Sequence, residues 1–208
     1  MEKLCRPKPP NLLKFESEVF SQGFQNIAGV DEVGRGCLAG PVVAAAVILP
    51  WQEDFVGVND SKKLSPQQRE KLYPVIIERA LAYGFGIVES EEIDRMNIGR
   101  ASLKAMRLAI EAMKIKPDFV LVDGNQSIPL LTIQQQTIIR GDSLSLSVAA
   151  ASILAKVKRD RMMVEFSQHY PAFLFEKHKG YGTKEHLAAL RAHGPTPIHR
   201  KSFRGVVF

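Results

Sequence analysis

The chain has 208 residues, of which 45% are hydrophobic, and this composition excludes an intrinsically disordered protein and allows one domain with a sizeable core. Its two cysteines, Cys5 and Cys37, are too few for a disulfide framework or a zinc site, so we expect a reducing, cytoplasmic location. The sequence contains neither a signal-peptide core nor a run of about 18 apolar residues, so we expect no membrane association. The formal net charge of +6 weakly favours a polyanionic partner.

Two apolar strands are predicted near the start of the chain. Residues 1–24 form a proline-containing lead-in, and residues 27–33 form the first predicted strand. After a glycine-rich turn, residues 41–49 are almost all apolar. Such a run is typical of a strand that is buried on both faces.

Helices and strands alternate along the rest of the chain. Ser65, Pro66 and Gln68 form a capping-box sequence that predicts the start of a helix. The predicted elements are a helix from residue 66 to about 82, a strand at 83–90, a helix at 98–114, strands at 118–124 and within 131–140, and helices at 145–168 and 182–194. Residues 25–170 are therefore expected to form an α/β domain, with a mixed sheet and helices on its faces. Residues 171–208 lack a strand signal and are expected to form a helical segment.

Acidic residues end two of the apolar strands. Asp31 and Glu32 lie in the last part of the first strand, and Asp123 ends the strand at 118–124. A third acidic position, Asp142, precedes a helix that begins with small residues. If the two strands are parallel neighbours, their carboxyl ends share one edge of the sheet, where ligands collect. A hard divalent cation such as Mg²⁺ would relieve the repulsion between these carboxylates.

Each acid also has a simpler interpretation. Asp123 begins an Asp-Gly turn dipeptide, Asp142 has the position of a helix cap, and Asp31 and Glu32 suit a solvated strand end. Side-chain alternation places the last two on opposite faces of the sheet unless the strand bulges. The conjunction of two apolar strands that both end in acids favours a metal–carboxylate site.

The glycine motif that follows the first strand resembles a dinucleotide fingerprint. Gly34, Gly36 and Ala39 have the spacing G-x-G-x-x-A. That fingerprint must open a helix, whereas Pro41 and the apolar run after it predict a strand. Two acids beside the loop would also repel a pyrophosphate, so we exclude a dinucleotide site.

The basic residues are concentrated near the C-terminus. Residues 176–204 contain seven lysines and arginines but only two acids, which suits a solvated tail and a nucleic-acid surface equally well. Tyr181 lies among glycines and lysines, where it can stack on a sugar or base, with a structural role as the alternative. His186 and His193 lack companions for a zinc site, and a structural role is favoured for both.

Six motifs together resemble bacterial ribonuclease HII: GVDEVGRGCLAGPVV, NDSKKLS, LVDGN, GDS with AAASILAKVKRD, HKGYGT and HGPTPIHRKSF. The resemblance spans residues 27–203. It implies an α/β, RNase H-like fold with a mixed five-stranded sheet and a C-terminal substrate-binding helical segment. It also implies a monomeric endonuclease that cuts the RNA strand of RNA–DNA hybrids and nicks 5′ to ribonucleotides embedded in duplex DNA.

The resemblance assigns roles residue by residue. The metal-binding and catalytic acids of the family, which hold two Mg²⁺ or Mn²⁺ ions, correspond to Asp31, Glu32, Asp123 and Asp142. The motif that recognises the 2′-hydroxyl corresponds to Gly34, Arg35 and Gly36. The tyrosine that stacks on the next sugar corresponds to Tyr181. Phosphate contacts correspond to Lys62, Lys63 and Lys179. Cys37 departs from the family, since many relatives have proline there.

Two other functions compete with this one. A DNA nuclease or junction resolvase on the same fold would not need a motif that recognises a 2′-hydroxyl. A non-catalytic hybrid-binding protein would have lost some of the four acids, and all four are present.

Overall fold

The computed structural model of the chain describes residues 12–51, 55, 57–58, 61–62 and 64–206. Its centre is a five-stranded sheet with the order β3-β2-β1-β4-β5. The strands are β1 (Ile27–Val33), β2 (Val42–Ile48), β3 (Ala82–Val88), β4 (Phe119–Asp123) and β5 (Gln134–Ile138). The first three strands pair antiparallel, whereas β4 runs parallel to both β1 and β5. The predicted mixed α/β sheet of five strands is confirmed.

Helices cover both faces of the sheet. They are α1 (Lys14–Phe20), α2 (Pro66–Arg79), α3 (Ser90–Met96), α4 (Ile98–Glu111), α5 (Leu146–His169), α6 (Phe175–His178) and α7 (Lys184–His193). Ser65 and Gln68 form the predicted capping box of α2. This helix ends before residue 82 because Ala80 already has an extended backbone and β3 begins at Ala82. The helices α1 and α3 were not predicted from the sequence.

Small residues let the two main helices lie directly on the sheet. A Cβ on Gly86 of β3 would lie 1.9 Å from Ala105 O of α4. On the other face, a Cβ on Gly29 of β1 would lie 2.2 Å from the carbonyl carbon of Ser147 in α5. These approaches leave no room for a side chain, so α4 and α5 lie directly against the two faces of the sheet.

The C-terminal segment folds over the loop between β1 and β2. We call residues 34–40 the glycine loop. Leu38 N donates to Gly180 O at 2.8 Å, and Arg200 N donates to Leu38 O at 2.9 Å. A small aromatic core with Phe173 and Phe175 joins this segment to α5. Apart from isolated bridge positions at His199, which pairs with Ala39, and at Arg204, the described part of residues 171–206 contains no strand, as expected. None of the described helices combines the length and apolarity needed to cross a membrane.

Candidate active site

Two parallel strands carry the first acids to the same edge of the sheet. Val30 of β1 pairs with Val122 of β4, so Asp31 and Asp123 follow directly at neighbouring strand ends. The β1–β2 pairing continues through Asp31 and Glu32 without a bulge, so these two side chains point to opposite faces. The parallel neighbours that the sequence analysis required are therefore present.

The carboxylates interact with one another although they lie on different faces. Burial raises the pKa of Asp31 well above its usual range, and the charges of Glu32 and Asp123 raise it further. Burial also raises the pKa of Glu32; Arg35 opposes this shift, and Asp123 adds to it. The pKa of Asp123 is raised first by burial and then by Asp142. All four acids thus belong to one electrostatic cluster.

Asp142 lies in a short 3₁₀ turn, Gly141–Ser143, that is tied to β4. Gly141 N donates to Asp123 Oδ1 at 2.6 Å, which places the next side chain beside the strand end. Asp142 is only 3% exposed. The helix cap of α5 is Ser145, whose hydroxyl accepts from Val148 N. The interpretation of Asp142 as a simple helix cap is therefore wrong.

Two cations reach the acids from outside. Lys62 Nζ lies 2.9 Å from Asp142 Oδ2, although 78% of the lysine side chain is exposed. Arg35 Nη1 donates to Glu32 Oε1 at 3.0 Å. Lys63, the other lysine of this motif, lies outside the described residues. Lys62 therefore belongs to the acidic site through its ion pair with Asp142.

The donor set fits a hard divalent cation. Among the residues that the structure describes, no three His, Cys, Asp or Glu side chains stand close enough to hold a metal ion as they are placed. The four acids nevertheless offer only carboxylate oxygens, the ligands that Mg²⁺ prefers. A cation bound between them would relieve their mutual repulsion and offset the cost of their burial.

The two glycines of the glycine loop have different reasons to be glycine. Gly34 has φ +96°, and a Cβ there would lie 2.2 Å from Arg159 Nε. Gly36 has ordinary backbone geometry, and a Cβ there would meet nothing within 4 Å. Packing therefore requires glycine at position 34. At position 36 the glycine leaves the backbone accessible to a ligand beside the acids.

Two buried arginines hold the glycine loop in place, and the sequence analysis missed both. Arg159 donates through its guanidinium to the carbonyls of Pro41, Ala39 and Lys179. Arg200 donates to Arg35 O and twice to Gly40 O. Burial and the charge of Arg159 lower the pKa of Arg200 to about 10. Arg159 lies in the motif AAASILAKVKRD and Arg200 in the motif HGPTPIHRKSF. The sequence did not predict their burial, because a charged side chain is usually exposed to solvent.

Tyr181 stands beside the glycine loop with 43% of its surface exposed. Burial of its inner part raises the pKa of the phenol, and the neighbouring Cys37 contributes. Two residues before Tyr181, the carbonyl of Lys179 accepts a hydrogen bond from Arg159, and the ammonium of Lys179 donates to Glu176 O. An exposed ring face and a fixed backbone are what stacking on a sugar requires.

A chain of histidines supports the backbone of Tyr181. Thr196 N donates to His199 Nδ1 at 2.9 Å, so His199 Nε2 carries the proton and donates to His186 Nε2 at 3.0 Å. His186 Nδ1 then donates to Tyr181 O at 2.9 Å. Burial lowers the pKa of both histidines, to about 4 for His199. His186 is therefore structural, as the sequence analysis favoured.

The family model described as Ribonuclease HII matches residues 28–206. The chain belongs to the ribonuclease HII family. It is a ribonuclease H, a hydrolase of the RNA strand of RNA–DNA hybrids. The ribonuclease HII of Geobacter sulfurreducens is 55% identical over 197 residues, which cover 95% of this chain and 90% of that protein. The match with the family confirms the resemblance that the six motifs indicated.

Solved structures show the same fold. The ribonuclease H2 of Pyrococcus horikoshii OT3 superposes with a TM-score of 0.74 at 28% identity, covering 87% of this chain and 95% of that chain. Bst-RNase HIII in complex with Mn²⁺ superposes with a TM-score of 0.68 at 20% identity, covering 87% and 68%. The RNase H-like fold that the resemblance to ribonuclease HII implied is therefore confirmed.

Proposed function

We propose that this ribonuclease HII nicks duplex DNA on the 5′ side of an embedded ribonucleotide, in addition to cutting longer hybrids. The products carry 5′-phosphate and 3′-hydroxyl ends. The single observation that supports this is the position of the acid cluster beside the open backbone of Gly36. The acids at the end of β1 directly precede the glycine loop, whose backbone at Gly36 a sugar can approach.

In this proposal the four acids hold two divalent cations, Mg²⁺ or Mn²⁺. When bound, such ions place positive charge on the scissile phosphate, lower the pKa of the attacking water and stabilise the leaving 3′-oxygen. Asp31, Glu32, Asp123 and Asp142 supply the ligands. They come from β1, β4 and the turn tied to β4, so one rigid sheet edge fixes their spacing, and a monomer suffices.

Recognition of the ribonucleotide falls to the glycine loop and Tyr181. The backbone at Gly34, Arg35 and Gly36 can donate to and accept from a 2′-hydroxyl, which both donates and accepts. Arg159 and Arg200 hold this backbone by hydrogen bonds to Arg35 O, Ala39 O and Gly40 O, so little freedom is lost on binding. The exposed ring of Tyr181 stacks on the sugar that follows.

Three lysines are assigned to the phosphate backbone. Lys62 moves from Asp142 toward a phosphate when a cation takes over the carboxylate. Lys179 lies in the same loop as Tyr181, and Lys63, which lies outside the described residues, is assigned to phosphate contacts by the resemblance to the family. The whole C-terminal segment, residues 171–208, acts as the substrate-binding part of the chain, whereas residues 25–170 carry the catalytic acids.

The test uses the intact protein and three labelled duplexes of one sequence. One carries a single ribonucleotide, one a fully RNA strand, and one is all DNA. With Mg²⁺ or Mn²⁺ we expect a nick 5′ to the single ribonucleotide that leaves a 3′-hydroxyl on the upstream DNA and a 5′-phosphate on the ribonucleotide. Cleavage of the long hybrid alone would contradict the proposal, and cleavage of the all-DNA duplex would favour a general DNA nuclease.

A further inference from the structure

A buried glutamate in the N-terminal segment contacts the start of α5. Glu16 of α1 is 6% exposed. Its Oε1 accepts hydrogen bonds from Ser145 Oγ at 2.6 Å, Ser147 Oγ at 2.8 Å and Ser147 N at 3.0 Å. A carboxylate at this end of a helix is favourable because the free backbone N–H groups and the helix dipole are positive there.

A second contact fixes the same turn. Leu146 N donates to Leu12 O at 2.8 Å, so the segment 12–16 binds two successive residues of the first turn of α5. Phe15 and Phe20 pack around Val19 in an apolar cluster with β1, β4 and β5. The N-terminal segment is therefore anchored on the sheet and holds α5 from there.

The held turn leads directly to Asp142. Ser145 N donates to Gly141 O at 2.8 Å, and Gly141 N donates to Asp123 Oδ1 at 2.6 Å. On its other side, the first turn of α5 touches Gly29, two residues before Asp31, without room for a Cβ. Moving this turn would move Asp142 relative to Asp31 and Asp123.

The carboxylate of Glu16 contacts α5 through only one of its two oxygens, Oε1. Among the described residues, Glu16 Oε2 has no hydrogen-bond partner although it is buried. The cavity beside it, lined by Glu16, Trp51 and Ser147 among others, measures about 20 Å³, which is room for one water molecule.

We propose that Glu16 is a positioning residue for Asp142 and sets the metal affinity of the active site through the first turn of α5. The inference rests on the proposed function, because it takes Asp142 to be a metal ligand. It gives the segment before Gln25 a role in catalysis rather than that of a lead-in. Glu16 itself touches neither metal nor substrate.

The experiment measures metal affinity in two independent ways on the full chain. The rise in thermal unfolding temperature is titrated with Mn²⁺ and Mg²⁺ without substrate, and cleavage of the single-ribonucleotide duplex is titrated with the same ions. The variants are Glu16→Ala, Glu16→Gln, Ser147→Ala and Asp142→Asn. Glu18→Gln is the matched control, because Glu18 is exposed on the same helix.

We expect Glu16→Ala to raise the half-saturating metal concentration at least about fivefold in both titrations. The effect is modest because Glu16 does not bind the metal itself but positions the ligand Asp142. Glu16→Gln keeps an acceptor oxygen and should stay within about twofold of the wild type. Glu18→Gln should not differ from the wild type. If Glu16→Ala does not fold, Ser147→Ala should show a smaller rise in the same direction.

Three other outcomes separate the claim about Glu16 from the claim about Asp142. If Glu16→Ala and Ser147→Ala lower the unfolding temperature but leave both half-saturating concentrations unchanged, Glu16 is only structural and the inference is wrong. If Asp142→Asn also leaves both unchanged, the assignment of Asp142 as a ligand fails as well. If Asp142→Asn raises them and the Glu16 variants do not, only the inference about Glu16 is overturned.

Discussion

Lys62 Nζ lies 2.9 Å from Asp142 Oδ2, so the acid cluster contains its own cation before any metal binds. The ammonium reaches into the site from an exposed loop, whereas Asp142 is buried. A positive side chain at this position offsets part of the repulsion among the acids. It also competes with a metal ion for the same carboxylate.

This competition predicts the behaviour of Lys62→Met. The metal-free variant should be less stable than the wild type, because Asp142 keeps a buried charge without its ion-pair partner. Mg²⁺ should restore the stability, so the metal-induced rise in unfolding temperature should be larger than in the wild type. Lys71→Met, on the exposed side of α2, is the control. Equal metal-induced shifts in both variants would argue against competition at Asp142.

The two glycines of the glycine loop should respond differently to alanine. Gly36→Ala meets no neighbouring atom, so stability should change little, but the added methyl group should keep the sugar away and lower cleavage by about 10²-fold. Gly34→Ala must adopt a positive φ and collides with Arg159, so it should lose stability by about 1–3 kcal/mol or more.

Urea unfolding and single-turnover cleavage, measured on both variants, separate these effects. If Gly36→Ala cleaves at single ribonucleotides at the wild-type rate, the backbone around Gly36 does not recognise the sugar. Arg35→Ala is a useful companion, since it removes the side chain but keeps the backbone.

Tyr181 should act through its ring. Tyr181→Ala should weaken cleavage at a single ribonucleotide by about tenfold or more, because a lost stacking contact costs about 1–3 kcal/mol. Tyr181→Phe keeps the ring and loses only the phenol contact with Cys37, so most activity should remain. The check is kcat/KM on the single-ribonucleotide duplex. Equal losses in both variants would assign the effect to the hydroxyl instead.

The buried histidines predict an acid-sensitive fold. The pKa of His199 is lowered from about 6.5 to about 4, so the unfolded chain binds a proton before the folded protein does. Stability is therefore complete above about pH 6.5 and decreases toward pH 4, by on the order of 3 kcal/mol for this group.

Carboxylates with raised pKa values shift stability in the opposite direction, so a variant is needed to isolate the histidine. His199→Gln should be less stable at pH 7.5, yet it should lose less further stability between pH 7.5 and 5 than the wild type. Thermal unfolding at several pH values measures both slopes. Parallel slopes would show that the pKa of His199 is the same in the folded and the unfolded chain.

The sequence predicted the sheet and the positions of the acids because these depend on short-range patterns. Apolar runs that end in Asp31 and Asp123 identify two strands and their carboxyl ends, and a capping box marks the start of α2. We assumed that these two strands are parallel neighbours, and the parallel pairing of β1 and β4 confirms this assumption.

Contacts between distant segments could not be predicted in this way. Arg159, Arg200 and Glu16 look like ordinary surface charges in the sequence, and their burial depends on segments that lie far away along the chain. The interaction of Lys62 with Asp142 spans two loops for the same reason. The helix α1 was missed because its few apolar residues acquire a partner only when the sheet is complete.

The most direct test of the account compares the wild type with Asp31→Asn on a duplex that carries one ribonucleotide. The account predicts metal-dependent nicking by the wild type and a loss of at least about 10³-fold in the variant. The metal-free variant should nevertheless be at least as stable as the wild type, because asparagine removes a buried charge that Glu32 and Asp123 repel. Nicking by Asp31→Asn at the wild-type rate would contradict the assignment of the active site.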